Sequence, residues 1–109
     1  MSADWEKFVN NLKDEAGSLI KAELVGLIST TKTDAEDFVR KQAEKTERYL
    51  NQLALGEITK DDFVLNMKNI QRLNQMQALK LSVAGKASAQ KLTDGIQSLI
   101  LDKLIKLVA

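Results

Sequence analysis

The chain has no Cys and no His, so fifteen Asp and Glu residues are its obvious carriers of acid–base chemistry. Adjacent carboxylates include Glu36–Asp37 and Asp61–Asp62. On a helix, adjacent residues point about 100° apart, so neither pair shares a proton between facing oxygens. Acidic residues also suit the positive end of a helix, which accounts for both pairs without catalysis. Without cysteine there is no thiolate nucleophile, thiolate metal site or disulfide. The absence of His also removes the usual general base and the commonest metal ligand. The spacing of oxygen ligands matches no calcium loop, and no glycine-rich phosphate loop occurs. The expectation is a protein that is not an enzyme and has no catalytic, cofactor-binding or metal residues, no cofactor and no small-molecule substrate.

A second chemistry is charge. Residues 1–57 carry eight Lys or Arg and eleven Asp or Glu, whereas residues 58–109 carry eight and four, so a net +1 conceals −3 against +4. Opposite halves invite each other. A basic block at residues 68–91 holds Lys68, Arg72, Lys80, Lys86 and Lys91 among many Asn and Gln. It has one Arg and no aromatic residue for base stacking, and the acidic half is available to neutralise it. Nucleic acid is therefore the weakest of the binding expectations.

The elements that carry these residues are helices. Proline is absent, only five glycines occur, and Ala, Leu, Lys, Gln and Glu dominate. No period-2 alternation or hairpin-turn dipeptide signals a strand. No run approaches the roughly 18 apolar residues of a membrane span. The charged start, MSADWEKFVNNLKDE, is unlike a signal peptide. A cytoplasmic setting is the expectation.

The sharpest local signal is LALGEITKDDFVL, residues 53–65. Gly56 suits the left-handed residue that ends a helix, and Thr59 suits the cap of the next. Asp62 stands at the capping-acid position, and Ile58 and Phe63 stand where a hydrophobic staple forms. Gly56, Ile58, Thr59, Asp62 and Phe63 are thus expected to build a structural turn.

The run Gly56-Glu57-Ile58-Thr59-Lys60-Asp61-Asp62-Phe63, with Lys68 and Ile70 beyond it, resembles the SHOCT module over about residues 49–70. The pattern differs in carrying Asp at both acidic positions and in lying mid-chain. The resemblance implies oligomerisation or protein interaction in bacterial proteins, without enzymatic activity.

Before the turn, apolar or small residues recur from Trp5 to Leu53 with a mean period of about 3.7, through Ser29–Thr33. That phase predicts one continuous or bent first helix. The fold expected is all-α, a single domain at 1–109: a long antiparallel helical hairpin with arms at 3–55 and 60–108, turning at residues 56–59. Folded back, the arms would bring Asp34, Glu44 and Glu47 near Lys80, Arg72 and Lys68. They would also bring Gly26 near Ala87–Ala89 and Gly17 near Gly95–Ser98. The alternative is a compact monomeric four-helix bundle with a break near residues 29–33, where Thr33-Asp34-Ala35-Glu36 forms a possible capping box.

The closing stretch GIQSLILDKLIKLVA spreads its apolar residues over about 180° of an α-helical wheel, wider than one neighbouring helix covers. Residues 18–29 behave similarly. The hairpin is therefore expected to dimerise through these ends into a four-helix arrangement, as a helical assembly or protein-interaction module. The expected contacts are Leu19, Ile20, Leu24, Leu27, Ile28, Ile96, Leu99, Ile100, Leu104, Ile105 and Val108. The expected partner is a second copy or another helical protein. The alternative is an amphipathic protein of lipid or hydrophobic surfaces.

Overall fold

The structure is a computed structural model that describes residues 4–12 and 14–108, without the side chains of residues 14 and 15. The expected start of the first arm, at residue 3, lies outside the described residues. Four principal helices follow a short one: α1 (Asp4–Asn10), α2 (Asp14–Lys32), α3 (Asp37–Ala54), α4 (Lys60–Gln77) and α5 (Val83–Gly95). A 3₁₀ turn, Ala78–Lys80, extends α4. Beyond Gly95 the backbone stays helical through a π-wound segment, Ile96–Leu104, and a last turn α6, Ile105–Leu107. No strand occurs among the described residues.

The continuous first arm is corrected. Its helix ends at Lys32 and a new one starts at Asp37. Thr31 and Thr33 turn their hydroxyls back on the carbonyls of Leu27 and Ser29, at 2.7 and 3.1 Å. Asp34 Oδ1 accepts the Glu36 amide at 2.8 Å, a local bond that competes with helix. Long-range contacts then hold the corner: Asp34 Oδ2 accepts the Ser88 hydroxyl, and Glu36 accepts the Ser82 amide at 3.3 Å. Thr33 is not the cap of α3; Glu36 occupies that position and makes no side-chain cap bond.

The second arm is corrected in the same way. Leu81 is extended, and Ser82 caps α5 by accepting the Gly85 amide at 3.0 Å. Each principal helix packs on the next, and α5 closes on α2, so the four-helix arrangement is built within one chain. An arm of about 80 Å has no place in a molecule of 39 × 25 × 22 Å with a radius of gyration of 13.3 Å.

The core is one cluster to which every principal helix contributes, through Leu24, Leu50, Phe63, Met67, Leu92 and Ile100 among others. Helix α1 covers one end. Its Trp5 is 1% exposed, with the indole N–H donating to Glu47 at 3.2 Å and the backbone amide donating to Asn51. A buried polar chain crosses the bundle. Gln42 of α3 donates to Asn74 of α4, which donates to Thr93 and to the Ala89 carbonyl of α5. Among the described residues no buried side-chain polar atom lacks a partner.

Candidate functional surface

The turn residues stand as their types require. Gly56 has φ +72°, and the Gly56 and Glu57 amides donate to Leu53 and Gln52 at 3.2 and 2.8 Å, closing a Schellman motif. Thr59 accepts the Asp62 amide at 3.1 Å, but Asp62 does not return a bond to Thr59. Ile58 is half-buried against the core that contains Phe63.

Asp61 and Asp62 are exposed at the start of α4. Asp37 pairs with Arg40 and Lys41 at 2.7 and 3.0 Å, and Lys41 chiefly holds its carboxyl below the usual range. Among the described residues no group of three or more His, Cys, Asp or Glu could hold a metal ion, and no helix is long and apolar enough to cross a membrane.

The expected interface residues divide sharply. Ile20, Leu24, Leu27, Ile28, Ile96, Leu99, Ile100, Leu104 and Ile105 are buried in the chain's own core. In this conformation they are not open to a partner. Val108 is half-buried, with its carbonyl accepting from Lys60 at 3.2 Å. Only Leu19 is widely exposed, at 66%, beside a groove of about 360 Å³ that Ala16, Ile20 and Leu107 share with Glu23, Asp102, Lys103 and Lys106.

The π winding explains why the terminal face needs no second chain. Its i→i+5 bonds bring residues four and five apart into line. Ile96, Ile100, Leu104 and Ile105 therefore gather on a narrower arc than an α wheel gives them. The same winding brings Gln97 to Asp102, five residues on, at 2.9 Å.

The charge and glycine pairings are also corrected. The three ion pairs among the described residues all lie within residues 32–47, so none joins the two halves. Glu47 takes Lys32 and Trp5 in place of Lys68. Gly17 lies under the Val9 carbonyl, Gly95 under the Leu27 side chain, and Gly26 faces open space. Lys68, Arg72, Lys80, Lys86 and Lys91 are exposed, and Arg72 shares a groove of about 440 Å³ with Lys45, Tyr49, Asn66 and Asn69.

One surface escaped sequence reasoning. Along the outer side of α4 and its 3₁₀ extension, Leu65, Met76 and Leu79 are 59, 62 and 89% exposed. Asp62, Asn69 and Arg72 complete the row and are exposed too. Residues 62, 65, 69, 72, 76 and 79 follow the alternating three-and-four spacing of a coiled-coil seam. That spacing was visible in the sequence, but Asn69 and Arg72 at its centre masked it. Val83, 85% exposed, stands just beyond.

No protein-family model, no curated protein and no solved structure matches the chain.

Proposed function

We propose that this protein is a non-enzymatic helical assembly module, and that it works by offering an uncovered apolar helix face to a helix of another chain. The observation that carries this reading is the exposure of Leu65, Met76 and Leu79 in seam spacing along one side of α4 and its extension. Single exposed apolar residues are ordinary, but an aligned row of them marks an interaction surface. The resemblance of residues 49–70 to SHOCT, a module of oligomerisation and protein interaction, supports the same reading.

Sedimentation velocity over about a hundredfold range of concentration tests it, because self-association follows mass action. The expected result is a sedimentation coefficient that rises with concentration. A monomer at every concentration would contradict assembly by this chain with itself.

A further inference from the structure

Resting on that assembly reading, we propose that the occupant of the α4 face is the same face of a second copy, packed antiparallel about a two-fold axis between Ile70 and Gln71. A parallel pair would set equal seam positions together, Arg72 against Arg72 and Asp62 against Asp62. Reversing one helix removes those contacts and also opposes the two helix dipoles.

One antiparallel register matches like with like in its central layers. Leu65 faces Met76 of the second copy, and Arg72 faces Asn69 of the second copy. At both ends Leu79 then lies over Asp62 of the other copy, and Lys80 comes beside that Asp62. All these residues are exposed in the single chain, so none must leave the core to take part. Sliding the pair by one heptad sets Leu65 against Asn69 in one direction and Asn69 against Leu79 in the other. The Asn69–Arg72 layers thus select the register, as a polar layer does in coiled coils. Only three large apolar residues per copy are involved, so the contact is a weak, reversible one.

The absence of native cysteine gives a clean test. Leu65→Cys and Met76→Cys are made separately, checked for native circular dichroism, and oxidised alone and mixed. Opposed positions bond in the mixture, whereas Leu65 lies about 16 Å along the axis from its own copy, too far for a disulfide. The expected result is a disulfide dimer in the mixture and little in either variant alone. Dimer from Leu65→Cys alone would mean parallel packing and overturn the proposal. A wild-type mass that rises with concentration, without disulfide in any sample, would overturn it while leaving the assembly reading standing. A wild-type monomer at all concentrations would overturn it together with any assembly of this chain with itself. A monomer whose Leu65→Cys thiol is shielded by vesicles of phosphatidylcholine and phosphatidylglycerol would overturn it in favour of a lipid surface.

Discussion

The hydroxyl of Ser88 donates to Oδ2 of Asp34, joining the α2–α3 corner to the first turns of α5 across 54 residues of sequence. The Ser88 hydroxyl is the main reason the Asp34 carboxyl is held below its ordinary value, with the Glu36 amide next, burial opposing them and Arg40 adding least. A carboxylate with a depressed pKa contributes stability above its unfolded pKa, and that stability is lost as pH falls through the folded value. Ser88→Ala should therefore lower the urea midpoint at about pH 6 and have a smaller effect at about pH 3. Equal losses at both values would show that Asp34 ionisation is not involved.

Asn74 is 2% exposed and joins three helices, accepting from Gln42 and donating to Thr93 and Ala89. Asn74→Leu should cost roughly 1–3 kcal/mol in denaturant unfolding, because Gln42 and Thr93 lose a partner inside the protein. An unchanged midpoint would mean that water or rearrangement satisfies both.

Two glycines of α2 should respond to alanine with opposite signs. At Gly26 an added Cβ meets nothing within 4 Å, so Gly26→Ala should stabilise by roughly 0.5–1 kcal/mol through helix propensity. At Gly17 it would lie 2.5 Å from the Val9 carbonyl oxygen, so Gly17→Ala must push α1 away and should lower the melting temperature. Thermal unfolding of both variants checks the pair.

Trp5 reports whether α1 stays docked. Its indole is buried and bonded to Glu47, so native emission should be blue-shifted and poorly quenched by acrylamide. Trp5→Phe keeps most of the packing but removes the N–H donor, and should cost about 1 kcal/mol. Strong native quenching would place α1 in solvent.

The all-helical class and the turn at residues 56–59 were legible in the sequence. The turn was readable because a left-handed Gly56, a capping Thr59 and the flanking Ile58 and Phe63 act within a few residues of each other. The break at residues 33–36 was legible only as an alternative, from Thr33-Asp34-Ala35-Glu36, because the apolar phase runs through it. What favours it is the pairing of Asp34 with Ser88 and of Glu36 with Ser82, contacts 54 and 46 residues apart. Ser82 was a readable cap, but no Gly or Pro precedes it to mark the end of α4. The terminal face is legibly apolar in the sequence, and too broad for a single neighbouring helix on an α wheel. An α-helical wheel cannot anticipate the π winding that gathers Ile96, Ile100, Leu104 and Ile105 into the chain's own core.

The division between core and uncovered face is the central claim, and mass with helicity of two double variants tests it most directly. Leu104→Asp with Ile105→Asp puts charges into residues that are 0 and 9% exposed, and should abolish the cooperative fold. Leu65→Glu with Met76→Glu alters only exposed positions. It should keep the wild-type circular dichroism and melting transition, while the mass stays monomeric at concentrations where the wild type associates. A wild-type pattern of association in Leu65→Glu with Met76→Glu, or a folded Leu104→Asp with Ile105→Asp that has lost association, would contradict the account.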